Sequence, residues 1–215
     1  MSGTLPINYF TKVTLKSNTP TATSMSMAGN RQSKQLAAQY WTMDCDYRPL
    51  QRSEIAQIMA FLNKQRNSLL SFDVVLPKHS RPDGSIKSIY TEATGGITTT
   101  GATYAIGTTA NVTVAFTSLT ASSFTGNGVS TTAFKAGDFV KFNGHSKTYQ
   151  LTDDVVISSN TATMNIFPGL FANVAAGTSV VYWDVPFTVF NTQGTQEYSL
   201  GVESNGLQLK LQEAL

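Results

Sequence analysis

Residues 36–67 read LAAQYWTMDCDYRPLQRSEIAQIMAFLNKQRN, and two periodicities meet inside them. Over 36–47 the pattern has period two. Trp41, Met43, Cys45 and Tyr47 share one face of a strand, and Thr42, Asp44 and Asp46 share the other. From Ser53 the period lengthens. Ile55, Ile58, Met59 and Leu62 recur at i, i+3, i+4 and i+7, which predicts an amphipathic helix from Ser53 to about Asn67. Ser53 is placed to cap its start, Glu54 suits the positive end of the dipole, and Lys64 and Arg66 suit the negative end. A single helix with one apolar stripe packs on a sheet. Trp41, Met43, Ile55, Ile58, Met59 and Leu62 are therefore the expected core of a sheet-and-helix layer, which LLSFDVVLP rejoins as a strand that Pro77 ends.

Composition narrows the class. The chain has 215 residues, of which only 13% are charged and 41% are hydrophobic. The charge fraction is about half that of an ordinary soluble domain. Thr, Ser, Asn and Gly take its place, and these suit strands and turns better than helix surfaces. A formal net charge of +2 does not by itself imply a nucleic-acid or anionic-membrane partner. A single cysteine, Cys45, permits no intrachain disulfide. The start, MSGTLPINYFTKVTLK, lacks the basic and apolar segments of a signal peptide.

Residues 155–183, VVISSNTATMNIFPGLFANVAAGTSVVYW, carry no Asp, Glu, Lys, Arg or His. Asn160, Thr161, Thr163 and Asn165 interrupt the run and Pro168-Gly169 breaks it, so it is no membrane span. It reads as strand, loop and strand, with Ala162, Met164 and Ile166 on one face.

Elsewhere INYFTKVTLK (7–16) reads as a strand, and SNTPTATSMSMAGNRQSKQ (17–35) as a long loop or open hairpin arm. After Lys78, short β segments recur: TYAI, NVTVAF, DFVKF, TYQL, VVIS, ATMNIF and SVVYW. Such spacing predicts a small barrel or sandwich. After Trp183 come DVPFTVF, EYSLGV and LQLKL, with Asn205-Gly206 as the expected hairpin turn. The expected fold is mainly β: a sandwich or barrel with one packed α-helix, plus an inserted all-β barrel. The domains are a discontinuous outer one over 1–78 and 184–215, and an insertion over 79–183.

Catalytic groupings are absent from the sequence. His79 and His145 sit in turn contexts without metal-like spacing, and Cys45 shares a face with Trp41 and Met43. Asp153-Asp154 lacks the repeated oxygen ligands of a calcium loop, and the glycines of TGNG and TGG lack a phosphate-loop lysine. No catalytic, cofactor-binding or metal residue is assigned. Lys135, Lys141 and Lys147, interleaved with Phe139, Phe142 and Tyr149, leave two readings open. One is a single-strand nucleic-acid site; the other is ordinary strands with Phe inside and Lys outside.

The run AQYWTMDCDYRPL, SEIAQIMAFLNKQRN and SFDVVLP resembles the front of distal tail proteins of long-tailed, siphovirus-like bacteriophages. KAGDFVKF, KTYQLTDDVV and NIFPGLFANVAAGTSV are similar to that family's inserted domain, with its AGD turn, Y-x-(L/I)-T strand and I-(F/Y)-P-x-L strand end. GLQLKLQEAL resembles the closing strand. The resemblance implies a non-enzymatic virion protein with a tail-tube-like outer domain and an inserted barrel of oligonucleotide/oligosaccharide-binding (OB) type. It also implies a hexameric ring that joins the tail tube to the tip or baseplate and leaves a channel for DNA ejection. Implied partners are further copies of the chain, the tail tube protein, tip or hub proteins, and side-fibre or collar proteins; DNA only passes through, and no membrane is entered. In such a ring the polar face of Thr42, Asp44 and Asp46 has two readings, a lining of the lumen or an outer solvated face. The competing classes are a tail-tube or baseplate-hub subunit and a carbohydrate-binding adhesion module, the latter needing exposed aromatics among Trp183, Tyr104 and Phe171.

Overall fold

The computed structural model describes residues 3–6, 9–35, 38–66, 68–86, 96–107, 110–116, 132–158, 160–194, 199–200 and 205–215. In chain order these form β1 (Phe10–Asn18), β2 (Thr21–Met25), β3 (Arg31–Gln35), β4 (Tyr40–Tyr47), α1 (Arg52–Lys64) and β5 (Phe72–Val75). There follow β6 (Ile97–Thr99), β7 (Asn111–Phe116), β8 (Thr132–Phe134), β9 (Phe139–Phe142), β10 (Thr148–Leu151), β11 (Val155–Val156), β12 (Thr161–Phe167) and β13 (Val180–Val181). The chain closes with β14 (Pro186–Asn191), β15 (Ser199–Leu200), β16 (Asn205–Gly206) and β17 (Gln208–Glu213). The molecule is mainly β with one helix, and it divides into two compact units, 1–74 with 188–215 and 75–187.

The first unit is built on a curled, half-barrel sheet of order β1-β4-β17-β14-β5. Along β4 burial alternates without exception, as a strand with one covered face must. Trp41, Met43, Cys45 and Tyr47 are buried, and the register sets Met43 beside Leu15 and Leu211. Leu207, Leu209 and Leu211 continue that face, each contributing about 1.5–3 kcal/mol by leaving water. Helix α1 adds Ile55, Ile58 and Leu62, all buried, while Met59 is half-buried. Phe61 meets Phe72 edge-on at 5.4 Å between centroids, which seats the helix on β5. Among the described residues one charged group enters this core: Glu213 is buried and accepts the Trp41 backbone N–H at 3.2 Å.

The second unit is a nearly closed six-strand barrel of order β13-β9-β10-β12-β7-β6. Its two ends meet where Thr98 bridges Ser179. There the Thr99 N–H donates to the Thr178 carbonyl at 3.0 Å, and the Gly177 N–H donates to the Thr99 carbonyl at 2.8 Å. Inward positions alternate along the strands as barrel closure demands: Val112, Val114 and Phe116 on β7, and Ala162, Met164 and Ile166 on β12. β8 and β11 pair beside the barrel, and Phe134 and Val155 join its core.

Several local expectations change. The helix starts at Arg52, and its N-cap is Gln51, not Ser53. The Gln51 N–H donates to Glu54 Oε2 at 2.9 Å, so Glu54 satisfies an orphan donor two residues before the expected Ser53 cap. TYAI forms no strand; Tyr104 makes only an isolated bridge to Val174. Asn205-Gly206 is itself paired with Ser199–Leu200 as β16, so it is not the reversal. Residues 17–35 run from the end of β1 into a hairpin, β2–β3, with register Thr21↔Gln35 to Met25↔Arg31. The TGNG glycines lie outside the described residues.

Candidate functional site

Two surfaces of the first unit present groups that no core consumes. The first is the polar face of its sheet. Thr42, Asp44 and Asp46 all lie on it, each half-buried. Strand pairing adds what β4 alone cannot show: Lys12 stands opposite Asp46, Lys16 opposite Thr42, and Lys210 opposite Asp44. Lys16 Nζ lies 2.6 Å from Asp44 Oδ2. Asn18 Nδ2 donates to Thr42 Oγ1 at 2.8 Å, and Thr188 Oγ1 donates to Asp73 Oδ1 at 2.7 Å. Lys12, Lys16 and Lys210 thus match Asp44, Asp46 and Asp73, and the face is polar without net charge. Sequence spacing could place the aspartates but not the lysines, which arrive from strands 28 residues earlier and 166 residues later than Asp44. On the opposite face Cys45 is buried among apolar groups. Burial, and then Asp44 and Asp46, push its thiol up to about 12, so it is no nucleophile. Burial raises the Tyr47 hydroxyl in the same way.

The second surface is the β2–β3 arm. Every residue of both strands is exposed. The turn closes with the Ser26 N–H on the Asn30 carbonyl and the Gly29 N–H on the Ser26 carbonyl, both 2.9 Å, with Gly29 at φ 78°. Such a backbone favours glycine. Met25 and Met27 stand at the tip, 76% and 110% exposed.

In the barrel the two readings of the lysine cluster both need correction. Lys135 is paired with Asp154 at 2.6 Å, whereas Lys141 and Lys147 are buried, as are Phe139, Phe142 and Tyr149. All four residues of β9 are covered because the returning segment lies over its outer side. Phe139 packs edge-on against Phe187 at 5.3 Å, and Lys141 Nζ donates to the Pro186 carbonyl at 3.1 Å. A nucleic-acid phosphate cannot reach the buried Lys141 and Lys147.

The quoted barrel motifs prove structural. In AGD, the Asp138 carboxylate accepts the Asp83 and Lys135 backbone N–H groups, each at 2.9 Å, and so ties residues 82–84 to the 135–138 turn. Burial nonetheless raises its proton affinity above the ordinary carboxylate value. Gly84 lies so close to Ala133 that a Cβ there would overlap its carbonyl. Tyr149, fully buried, accepts the Phe171 N–H on its hydroxyl at 3.0 Å and thereby fixes the FPGLF corner. Burial lowers the proton affinity of His145 below the ordinary imidazole value.

Two of the three candidate adhesion aromatics are engaged. Trp183 and Tyr104 pack on the barrel core, the Arg81 guanidinium covers Trp183 at 5.0 Å, and the Tyr104 hydroxyl donates to the Thr100 carbonyl at 2.8 Å. Among the described residues no cluster of His, Cys, Asp and Glu could hold a metal, and no helix is long and apolar enough to cross a membrane.

Comparison with known families yields two matches. Residues 4–79 match the model for the N-terminal part of the A domain of distal tail protein pb9, and residues 102–185 match the model for its B domain. No curated protein matches the chain.

Proposed function

The chain belongs to the distal tail protein pb9 family, structural and non-enzymatic components of the phage tail and hence of the virion, and on that premise we propose that it forms the closed ring at the distal end of the tail tube. In this reading six copies join the tube to the tip or baseplate and leave a channel for DNA. The outer domain, residues 1–78 and 184–215, makes the ring; the insertion, residues 79–183, is an OB-type barrel that serves contacts with side-fibre or collar proteins.

The observation that carries the reading is the balanced polar face of the first sheet. A lumen that passes DNA must neither grip phosphates nor repel them strongly enough to stall passage. Unpaired lysines would hold DNA by displacing its counterions. Here each lysine has an aspartate within the same face, and Thr42, Thr14, Gln208 and Gln212 fill the intervals with uncharged polar groups. We assign Thr42, Asp44 and Asp46 to the lumen wall on this basis.

The arm of residues 17–35 completes the proposal as an assembly element. A lone two-stranded hairpin is marginal in water, so a neighbouring copy or ring is the natural surface to order it. Proteolysis of free subunits should cut in the arm first, and equal protection in subunit and assembly would count against that role.

Electron microscopy of the purified full chain tests the central claim. Closed rings with the β4 polar face toward the hole are expected. Long open cylinders would make the chain a tube subunit, and rings with Asp44 and Asp46 turned outward would remove the lumen assignment.

A further inference from the structure

We propose that Met25 and Met27 form an oxidant-sensitive docking site: as thioethers they anchor the arm on a second copy of the chain, and as sulfoxides they release it. The inference rests on the arm acting in assembly, as argued above, and adds its anchor and its regulation.

Within residues 17–35 these methionines are the only large apolar side chains. The two strands around them bury nothing in the free chain. Apolar surface gained when the arm docks therefore comes chiefly from this pair, and methionine, unbranched and polarizable, adapts to such contacts.

Charge points to the occupant. The arm carries Arg31 and Lys34 and no acidic residue. Removing those two from the 15 basic residues leaves 13 against 13 acidic ones, so the rest of the chain is formally neutral. Two arms repel each other, while the body of a second copy offers carboxylates without net repulsion. Arm on body is a heterologous contact, the kind that closes rings.

The chemistry is local and selective. A hydroperoxide transfers its terminal oxygen to the methionine sulfur. The O–O bond breaks, the sulfur loses two electrons, and the peroxide is reduced to water or an alcohol. The product is polar and no longer suits an apolar contact. Met43 and Met164 are fully buried and shielded from the same reagent, so the tip reacts first.

The test treats the full chain with hydrogen peroxide, maps sulfoxide by peptide mass spectrometry and follows assembly by sedimentation. Met25 and Met27 should oxidise about tenfold or more faster than Met43 and Met164, and assembly should fall by a similar factor. Methionine sulfoxide reductases should restore it, and a Met25→Leu/Met27→Leu variant should assemble and resist peroxide. Equal oxidation of the core methionines, or normal assembly of tip-oxidised protein, overturns the proposal. A Met25→Ser/Met27→Ser variant separates the two layers. If it assembles normally, the arm has no anchoring role; if it fails while the sulfoxide form assembles, only the redox inference falls.

Discussion

Lys16 Nζ lies 2.6 Å from Asp44 Oδ2, and Lys210 stands opposite the same aspartate on the other side of β4. Asp44 is thus flanked by two lysines from strands far apart in sequence. The pair is substantially exposed, at 56% and 40% for the two side chains, so water screens it. Its value to folding is small, and its consequence is the sign and density of charge on the face.

Lys16→Gln is accordingly expected to change stability by less than about 1 kcal/mol. Thermal denaturation measures this. The same variant leaves one carboxylate in excess on each copy, and its assembled particles should bind linear DNA no more tightly than the parent at low salt. A large loss of stability would mean that the pair is structural.

The Tyr149 hydroxyl accepts the Phe171 N–H at 3.0 Å deep in the barrel. Tyr149→Phe keeps the ring and removes only the acceptor. It should cost about 1–3 kcal/mol by leaving a backbone donor unsatisfied, measurable by urea denaturation. A neutral outcome would show that the corner finds another acceptor.

Gly84 sits against the Ala133 carbonyl with no room for a methyl group. Gly84→Ala forces the 82–84 and 132–134 segments apart and should destabilise the barrel by about 1–3 kcal/mol or more. Gly29→Ala is the control. It meets nothing within 4 Å but holds φ 78°, so its cost of about 1 kcal/mol should fall on the arm alone. Calorimetry of both variants distinguishes the two outcomes.

Asp138 binds its proton at higher pH in the folded chain than in the unfolded one, because burial outweighs the N–H groups of Lys135 and Asp83. Between those two values the folded state holds more protons, so this carboxylate's contribution to stability falls as pH rises through the window. Asp138→Asn should remove that slope and also lose one backbone acceptor. Its cost relative to the parent should therefore be greater below the raised value than at neutral pH. Urea denaturation at a series of pH values checks this, and a pH-independent cost would rule out the linkage.

Much of the architecture was legible because its signals are local. The period-two run Trp41 to Tyr47 and the Ile55, Ile58, Leu62 stripe declared a sheet and a helix, since each buries one face and periodicity records which. Leu207, Leu209 and Leu211 declared the closing strand for the same reason. Helix capping was misplaced because Gln51 and Ser53 both flank the start and only backbone geometry chooses between them.

What tertiary structure alone decided is which charges meet and which are covered. Lys12, Lys16 and Lys210 join Asp44 and Asp46 only through strand register, a long-range property with no trace in local spacing. Lys141 looks solvent-facing by alternation, yet a strand covered on both sides buries it, and Lys147, just before β10, is buried as well. Periodicity reports one apolar face per element; a second covering layer, and the charge it brings, comes from chain segments that sequence distance conceals.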